Sequence, residues 1–600
     1  MCGIVGYIGT NKATDVILSG LEKLEYRGYD SCGIFFFDES NQRYITYKDK
    51  GRVAHLINDF DYSSMNHLAI GHTRWATHGK PNQENSHPHF SLSKRFGLVH
   101  NGVIENYREL IATYLEGVNF TSETDTEVIV NLIDHFAQSL SPQEAIRKTL
   151  SLIEGSYALL IVDTTNPRKF YAAKSKSPLL LGIGKNGVAV ASDVMALVGY
   201  ADQYIPLEDK SFVEICQKET GYEYAVMDII GTKISYELLE MNFVLEDIGK
   251  SGYSHYMLKE ICEQPSVIRK IMTRYFQNGY IKLDPDINEL FMLADRIYII
   301  AAGTSYHAGF VGKYYFEHLS KIPTEVFIAS EFAYNEPLIS GDNPLFIFIS
   351  QSGETADLRA CLVKIKQRKL KSLTITNVPS STLAREADKY IEILAGPEIA
   401  VASTKAYVGQ VAILLLLAYT SCKHKPFDLK YELSKLAVAM DAIIDKREFI
   451  DKIVTDKMTK RNCFYIGRGI DYYTCLEAAL KLKEISYIQT EGFAAGELKH
   501  GTIALIEDGV PVIAIVSQHQ TNQNTRANIH EVEARGAEVL VISTDDVATP
   551  SDDIVLMSVN DYLTPMLTVI PTQLIAFYSA LNLGRDIDKP RNLAKSVTVE

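Results

Sequence analysis

The chain opens MCGIVGYIG, so its second residue is a cysteine. Removal of Met1 would leave Cys2 with a thiol nucleophile and a free α-amine on one residue. An α-amine has an unperturbed pKa of roughly 7.7–8.0, so it can serve as the general base for its own thiol. The position therefore suggests nucleophilic catalysis. The plainer alternative is that Cys2 is a small hydrophobic residue of the core.

Two later segments favour the catalytic alternative. The segment GHTRWATHG at residues 71–79 contains the only tryptophan of the chain, and LVHNGVIEN occupies residues 98–106. In the second segment an asparagine amide stands beside a glycine N–H, which suits an oxyanion hole. In the first, Arg74 offers the planar fork that an α-carboxylate prefers. Asp125, in SETDTE, could bind an α-ammonium. These groups match the chemistry of glutamine side-chain hydrolysis.

Taken together and in this order, the three pieces resemble the glutaminase domain of the class II (N-terminal nucleophile) amidotransferases. That resemblance implies Cys2 as nucleophile, Asn101 and Gly102 as oxyanion hole, and Arg74, Trp75, His78, His87 and Asp125 as glutamine-binding residues. It also implies an internal channel for ammonia, gated by Trp75. The HPH run at residues 87–89 has no third ligand at metal-binding spacing, so we predict no metal site.

Composition limits the class of protein. The 600 residues suggest several domains at roughly 150 residues each, and 46% hydrophobic content is ordinary for a soluble globular chain. A formal charge of −14 argues against nucleic acid or an anionic membrane as a partner. The eight cysteines form no C-x-x-C pair. The longest apolar run, residues 411–419, is shorter than the ~18–20 residues of a membrane span, and no signal peptide is evident. We therefore expect a cytoplasmic protein.

The first part of the chain reads as α+β, with short β-rich runs separated by turns. Two helices are expected here, at residues 15–24 and 126–138. Around residues 241–252 the periodicity lapses and GKSG reads as a linker; residues 256–273 then resume as one helix. The predicted strands are residues 32–37, 68–71, 97–100, 158–162, 188–191 and 211–215.

From about residue 285, strands and helices alternate as in a parallel sheet with crossover helices. Strands are predicted at residues 296–301, 344–349, 373–376, 462–466, 510–516 and 539–543. The sequence interval from Tyr298 to Tyr465 equals the interval from Ser350 to Ser517. Two equal intervals at independent strands predict a tandem repeat of one α/β domain, against the alternative of coincidental alternation.

The two copies differ in chemistry. The first carries SQSGET, residues 350–355, between an apolar strand and a helix expected near Ala356. At the carboxyl end of a parallel strand, backbone N–H groups and hydroxyls that open a helix can bind an anion. The second copy reads SQHQT at residues 517–521 and has no glycine there. The sequence therefore predicts that the first copy binds a phosphate and the second supplies other groups.

SQSGET, the AGTS turn at residues 302–305 and the doubled domain resemble the sugar isomerase (SIS) fold, which handles phosphosugars. With the glutaminase in front and the tail RNLAKSVTVE at residues 591–600, the whole chain resembles the isomerising glutamine–fructose-6-phosphate aminotransferase family. This implies an α+β N-terminal-nucleophile glutaminase sandwich followed by two α/β SIS domains with parallel sheets. We place the glutaminase at 1–240, the linker at 241–252, the SIS domains at 253–440 and 441–590, and a catalytic tail at 591–600.

The resemblance also implies an activity and its residues. Fructose 6-phosphate and glutamine would become glucosamine 6-phosphate and glutamate, the first step of hexosamine biosynthesis, with ammonia passed internally and no cofactor. Lys595 would form an imine with the ketose, Glu484 would move a proton between C1 and C2, and His500 would open the sugar ring from the neighbouring subunit of a homodimer. The implied sugar-binding residues are Ser305, Ser350, Gln351, Ser352, Thr355, Val401, Ala402, Ser403 and Lys481.

Simpler alternatives exist for several of these residues. Lys595 reads on its own as a solvated tail lysine, and the spacing of Glu477, Lys481 and Glu484 on one helical face also fits a surface ion-pair stripe. At position 307 the chain has His where related sequences often have Asn. Two rival functions are an amidophosphoribosyltransferase-type enzyme, whose acidic pair after a hydrophobic strand we do not find, and a phosphosugar-sensing protein with a relic glutaminase.

Overall fold

The computed structural model describes residues 2–75, 79–219, 221–241, 249–458 and 460–597. The chain divides into two compact units between Gly249 and Lys250, and the second unit extends to Lys595. Most of the predicted linker, residues 242–248, lies outside the described residues, and the proposed domain limits stay predictions.

Within its described part, the first unit has five helices and fourteen strands. The helices are α1 (Ala13–Leu24), α2 (Val53–Asp59), α3 (Tyr107–Tyr114), α4 (Asp125–Phe136) and α5 (Pro142–Leu150). The strands are β1 (Gly3–Gly9), β2 (Ser31–Asp38), β3 (Arg43–Lys50), β4 (Leu68–Arg74), β5 (His89–Phe90), β6 (Phe96–Ile104), β7 (Gly155–Asp163), β8 (Lys169–Ser175), β9 (Leu180–Gly184), β10 (Gly187–Ala191), β11 (Gln203–Pro206), β12 (Ser211–Lys218), β13 (Gly221–Asp228) and β14 (Leu239–Glu240).

These strands form two stacked sheets, one ordered β14-β11-β9-β10-β1-β4-β2-β3 and the other β13-β12-β8-β7-β6-β5. Strand β1 shows why they stack, since its side chains alternate between faces. Val5 and Tyr7 pack under α1, whereas Ile4 and Ile8 join the core shared with β6 and β7. Helices α3, α4 and α5 cover the outer face of the second sheet. The α+β sandwich predicted from sequence is confirmed.

The second unit alternates strands and helices. Its helices are α6 (Tyr256–Cys262), α7 (Gln264–Tyr275), α8 (Pro285–Leu293), α9 (Gly303–Tyr315), α10 (Ala329–Tyr334), α11 (Ala356–Gln367), α12 (Thr382–Glu386), α13 (Lys405–Ser421), α14 (Leu429–Asp445), α15 (Arg447–Lys457), α16 (Ile470–Ser486), α17 (Asn522–Glu533) and α18 (Thr564–Asn582). After a short hairpin of β15 (Phe276–Gln277) and β16 (Tyr280–Ile281), the strands are β17 (Arg296–Ala301), β18 (Thr324–Ile328), β19 (Pro344–Ser350), β20 (Lys371–Thr376), β21 (Lys389–Glu392), β22 (Asn462–Gly467), β23 (Gln489–Ala494), β24 (Pro511–Val516), β25 (Glu538–Thr544) and β26 (Ile554–Leu556).

The sheets of this unit repeat one topology. Their orders are β18-β17-β19-β20-β21 and β23-β22-β24-β25-β26, and the described pairings in both are parallel. Each sheet therefore has strand order 2-1-3-4-5, in which the first and third strands are neighbours. This is the tandem α/β repeat that the two equal sequence intervals predicted. It places the end of β17 beside the end of β19, at the switch point where ligands bind in open parallel sheets.

One predicted helix is wrong in its extent. Residues 256–273 form two helices, because α6 ends at Cys262 and α7 begins at Gln264. Pro265 lies in the first turn of α7, where it has no N–H to give and its ring would clash with a carbonyl of a continuous helix. The break leaves α6 as a separate short helix whose first N–H groups, at Tyr256 and Met257, donate to the carboxylate of Asp588.

One helix in the described residues is long and apolar enough to cross a membrane. It is the segment Asp561–Asn582, and its apolar window is 100% buried within the fold. The apolar run at residues 411–419, noted in the sequence, is shorter and lies in buried α13. Burial against the core explains the apolar composition of both helices, because a helix that is apolar on all sides is typical of the interior of a large protein.

Candidate active site

Cys2 lies at the start of β1, beside the ends of β4 and β6. Its Sγ accepts a hydrogen bond from the backbone N–H of Trp75 at 3.2 Å. The side-chain amide of Asn101 donates to the carbonyl of Cys2 at 2.9 Å. Burial raises the pKa of the Cys2 thiol, while the Trp75 N–H and the positive charge of Arg74 act in the opposite direction. The structure thus brings together a thiol, an amide donor and a cation that lie far apart in the sequence.

Gly102 follows Asn101 in β6 with a backbone φ of +137°. A Cβ at this position would lie 2.0 Å from the carbonyl oxygen of Ser156 on the neighbouring strand. Only glycine therefore fits, since an L side chain would meet both an unfavourable φ and a backbone atom that cannot move aside. The close approach keeps Asn101 and Gly102 in one fixed geometry, as an oxyanion hole requires.

Arg74 and Asp125, the residues predicted to bind the α-carboxylate and the α-ammonium, are both buried. Arg74 ends β4 and is 3% exposed, and its guanidinium donates to the carbonyls of Gly79 and Lys80 at 3.3 Å. Asp125 begins α4 and accepts from the N–H of Ile104 at 2.7 Å. Burial lowers the pKa of Arg74, and the nearby charges of Cys2 and Asp125 oppose that change. Arg74 therefore lies within electrostatic range of both the thiol and Asp125.

The other predicted glutamine-binding residues are His87, Trp75 and His78. The imidazole of His87 is buried in a stack with His72, with ring centroids 3.9 Å apart, and its Nδ1 accepts from the N–H of His100 at 3.2 Å. Burial and the neighbouring His72 lower the pKa of His87 well below its ordinary value, so the stack is neutral. The ring of Trp75 packs edge-on against Tyr29. His78 lies outside the described residues. For all three, substrate contact stays a prediction.

Within the described ranges, no group of three or more His, Cys, Asp or Glu side chains is arranged to hold a metal ion.

In the second unit, the SQSGET segment forms a turn that connects β19 to α11. The hydroxyl of Ser350 accepts from the N–H of Gly353 at 3.0 Å and lies 3.1 Å from the hydroxyl of Thr355. Gly353 has φ +66°, and a Cβ there would lie 1.9 Å from Oγ of Ser381. Ser352 and Gln351 are in the same turn, where the Ser352 hydroxyl accepts from the N–H of Glu354. The turn thus presents hydroxyls and amides at the start of a helix, as an anion cradle does.

Ser305 faces this turn from the neighbouring strand end. It lies in the first turn of α9, which follows β17, and β17 pairs in parallel with β19. The amide of Gln410 on α13 donates to the Ser305 hydroxyl at 2.9 Å. Two helix N-termini therefore open at the same edge of the sheet. The resemblance implied that Ser305 and SQSGET bind the same sugar phosphate, but Gln410 was not predicted because its partner is 105 residues away.

The equivalent turn of the second copy is already occupied by a carboxylate. The N–H and the hydroxyl of Ser517 both donate to Asp471, at 2.9 and 2.5 Å. Asp471 is 1% exposed and is the repeat counterpart of Thr304, since each is the second residue of its helix. Burial raises the pKa of Asp471 to about 7. A side chain of the chain itself therefore takes the hydrogen bonds that a bound anion would need, which supports the prediction that the first copy binds the phosphate.

The loop before α13 holds the candidate amine. Nζ of Lys595 donates to the Glu398 carboxylate at 2.6 Å and to the carbonyl of Ala400 at 2.8 Å. The side chain of Lys595 is 3% exposed, so it is not the solvated tail lysine of the simpler alternative. Ser403 donates to the same carboxylate at 2.9 Å. Val401, whose N–H donates to the carbonyl of Asp588, and Ala402 are the buried residues between them.

Glu484 belongs to a chain of charged groups on α16 and α9. Nζ of Lys481 donates to Glu484 at 2.6 Å and lies 3.5 Å from Glu477. The fully buried Glu477 also accepts from the Thr304 hydroxyl at 3.0 Å and lies 2.8 Å from Nδ1 of His307. Burial lowers the pKa of Lys481, but the negative charges of Glu484, Glu477 and Glu398 outweigh burial and raise it. This face is a buried network rather than a surface stripe, and it gives His307 a partner that the sequence could not supply.

His500 does not join this network in the described structure. It is exposed at the end of a 3-10 turn, Glu497–His500, after β23.

Comparisons with known proteins agree with this geometry. Family models for a SIS domain match residues 290–420 and 458–583, and one for a glutamine amidotransferase domain matches residues 72–199. The chain is 52% identical to the glutamine–fructose-6-phosphate aminotransferase (isomerizing) of Listeria monocytogenes and 53% identical to that of Halalkalibacterium halodurans, in each case over 100% of both chains. The chain belongs to this aminotransferase family. The solved C-terminal domain of glucosamine-fructose-6-phosphate aminotransferase from Francisella tularensis is 38% identical with a TM-score of 0.55, covering 57% of this chain and 99% of that one.

Membership of the aminotransferase family confirms the resemblance seen in the sequence, and the two SIS matches fall on the two parallel sheets. Glu398, Glu477 and Gln410 were not predicted as members of the site. Glu477 had a signal, since it shares a helical face with Lys481 and Glu484. Glu398 had none, because its partner Lys595 is 197 residues away.

Proposed function

We propose that this protein converts D-fructose 6-phosphate and L-glutamine to D-glucosamine 6-phosphate and L-glutamate, the first step of hexosamine biosynthesis. The observation that carries the proposal is the buried amine of Lys595, which donates to Glu398 and to the carbonyl of Ala400 in the loop before α13. A phosphosugar-sensing protein has no need of such an amine, whereas amination of a ketose needs a nucleophile at this place.

In the glutaminase unit, the Cys2 thiolate attacks the side-chain amide of glutamine. The oxyanion that forms accepts from the amide of Asn101, which donates to the Cys2 carbonyl in the structure, and from the N–H of Gly102. Collapse of this intermediate releases ammonia and leaves a γ-glutamyl thioester, which water hydrolyses to glutamate. Arg74 binds the α-carboxylate and Asp125 the α-ammonium. Removal of Met1 is part of the proposal, because it frees the α-amine of Cys2 as the base.

In the isomerase unit, the turn of residues 350–355 with Ser305 binds the phosphate, and residues 401–403 with Lys481 line the sugar. The neutral amine of Lys595 forms an imine with the C2 carbonyl and releases water. Ammonia then displaces the lysine at C2. Glu484 removes a proton from C1 of the protonated imine, which gives an enaminol, and returns it to C2. The C1 hydroxyl then loses its proton, so that C1 becomes the aldehyde and C2 carries the amine. The ion pair with Lys481 holds Glu484 in place for both transfers.

The proposal also covers the domain limits, the path of ammonia and the assembly of the chain. We assign residues 1–240 to the glutaminase, 253–440 and 441–590 to the SIS domains, and 591–600 to a catalytic tail. Ammonia passes internally, with Trp75 as its gate, and the enzyme is a cytoplasmic homodimer. The exposure of His500 supports its role in a neighbouring subunit, where it would open the sugar ring.

The test incubates the purified full chain with both substrates and measures glucosamine 6-phosphate and glutamate by mass spectrometry. The proposal expects the two products in equal amounts, and expects Lys595→Ala to abolish the amino sugar while glutamate release continues. Glutamate without amino sugar from the wild type would refute it. The same sample shows by N-terminal sequencing whether Cys2 is the first residue.

A further inference from the structure

The sugar loop, residues 398–406, is folded around two buried glutamates that differ in their hydrogen bonds. The first, Glu398, accepts from the N–H groups of Thr404 and Ala406 at one oxygen and from Ser403 and Lys595 at the other. Four donors on two oxygens require the ionised acceptor-only form. Although burial opposes it, the Lys595 charge and these hydrogen bonds lower the pKa of Glu398 to about 2.

The second, Glu260, reaches the loop from α6. It is 2% exposed, and its Oε1 accepts from the N–H groups of Ile399 and Ala400 at 2.5 and 3.1 Å. Its Oε2 is buried and has no hydrogen-bond partner among the described residues. An ionised carboxylate with one bare oxygen would carry a large desolvation penalty. A protonated carboxyl avoids most of that penalty, because the bare oxygen then bears no charge.

The charges around Glu260 lead to the same conclusion. They are Glu398 on the loop, Lys595 on the tail and Lys405 at the start of α13, together with Lys259 on its own helix and Glu263 directly after that helix. Lys595 pairs with Glu398, and Lys405 pairs with Glu263 at 2.6 Å. Burial and the negative charge of Glu398 raise the pKa of Glu260 to about 8.

The Glu260 carboxyl acts on Lys595 through the backbone. It fixes the N–H of Ala400, and the carbonyl of the same residue accepts from Lys595. On the other side of that carbonyl, the N–H of Val401 donates to the carbonyl of Asp588, whose side chain caps the helix that carries Glu260. The orientation of the Ala400 carbonyl is therefore set by α6 and the segment before the tail.

We propose that Glu260 is a positioning residue for Lys595 that works in its protonated form: it fixes the 399–400 backbone without adding a second negative charge beside the amine. The reason for the neutral form is chemical. Imine formation needs the free amine, and every additional carboxylate nearby favours the unreactive ammonium. This inference rests on the proposed role of Lys595.

The test compares Glu260→Gln with Glu260→Ala, and uses Glu392→Gln as the matched control. Glutamine copies the shape and neutrality of a protonated glutamate, whereas alanine removes the acceptor for both N–H groups. Burial also raises the pKa of Glu392, but its side chain is not bonded to the loop, so this control reports the generic effect of the substitution. Two measurements are made: reductive trapping of Lys595 with fructose 6-phosphate and borohydride, and the pH profile of glucosamine 6-phosphate formation.

At pH 7 we expect Glu260→Gln to stay within about threefold of wild type in rate and trapped Lys595, and Glu260→Ala to lose roughly 10–100-fold in both, as for a misplaced catalytic group. Above pH 8 the wild type should decline relative to Glu260→Gln by up to about tenfold per pH unit. Equal losses in both variants, or identical alkaline limbs in wild type and Glu260→Gln, would overturn the inference. A wild type that neither traps nor forms product would instead refute the proposed function.

Discussion

Replacing Glu398 by Gln changes one atom of the site and removes its central negative charge. The amide oxygen can still accept from the N–H groups of Thr404 and Ala406. The amide nitrogen then faces Ser403 and Lys595, where the wild type has an acceptor at 2.9 and 2.6 Å. Two donors would oppose each other, and the buried ammonium would lose its counter-ion.

The size of the effect follows from burial. The side chains of Lys595 and Glu398 are 3% and 0% exposed, and breaking a buried pair from one side costs about 3–5 kcal/mol. This cost destabilises the site and displaces the amine, and a catalytic group that is misplaced by about 1 Å should lower amino-sugar formation about 10²-fold. The surface pair of Arg296 and Glu325 has a similar N–O distance of 2.8 Å but is 30% and 43% exposed. Glu325→Gln should therefore change the rate by less than about threefold, since exposed pairs contribute little.

The assay follows glucosamine 6-phosphate formation in both variants and glutamine hydrolysis without sugar phosphate in the same samples. We expect Glu398→Gln to lose the first activity and keep the second, which shows that the glutaminase unit is folded. If Glu398→Gln keeps amino-sugar formation within about threefold of wild type, the claim that this ion pair holds the reacting amine is refuted.

Three further predictions concern other parts of the molecule. Asn101→Ala should lower glutamate release about 10²–10³-fold, as expected for a lost oxyanion donor, and a threefold effect would contradict that role. Gly353→Ala would force a φ of +66° on alanine and place its Cβ 1.9 Å from the Ser381 hydroxyl. Titration calorimetry should show at least about fivefold weaker binding of fructose 6-phosphate, from about 1–3 kcal/mol of strain, and an unchanged Kd would argue against the cradle. Burial raises the pKa of Asp471 from 3.8 to about 7, so the protonated form is favoured in the folded state. The stability it contributes is complete below about pH 4 and is lost as the pH rises through 7. Urea unfolding should therefore show wild type losing stability relative to Asp471→Asn between pH 4 and 8, and a constant difference would contradict the assignment.

Much of the architecture could be predicted because its signals are local. Apolar runs that end in polar turns marked the strands of the second unit, and the repeat was visible because the two tyrosines and the two serines are separated by equal intervals. Residues 256–273 were predicted as one helix because the apolar periodicity continues across Pro265. The helical backbone is interrupted there, because proline cannot take a place inside a regular helix.

The network around the amine could not be predicted in the same way. Glu260 meets Ala400 across 140 residues, and His307 meets Glu477 across 170. No local pattern marks such pairs, because they arise only when the tail, the loop and two helices pack together. Lys595 was identified from the resemblance of the tail, and its burial is what distinguishes it from a solvated lysine.

The central claim is that one chain hydrolyses glutamine and delivers the nitrogen to the sugar. The most direct test supplies amide-¹⁵N glutamine and fructose 6-phosphate in an excess of unlabelled ammonium, and measures the isotope in the amino sugar. We predict that nearly all of the glucosamine 6-phosphate carries ¹⁵N, with one glutamate formed for each. An amino sugar that carries the isotope ratio of the bulk ammonium would contradict internal transfer, and the absence of amino sugar would contradict the function itself.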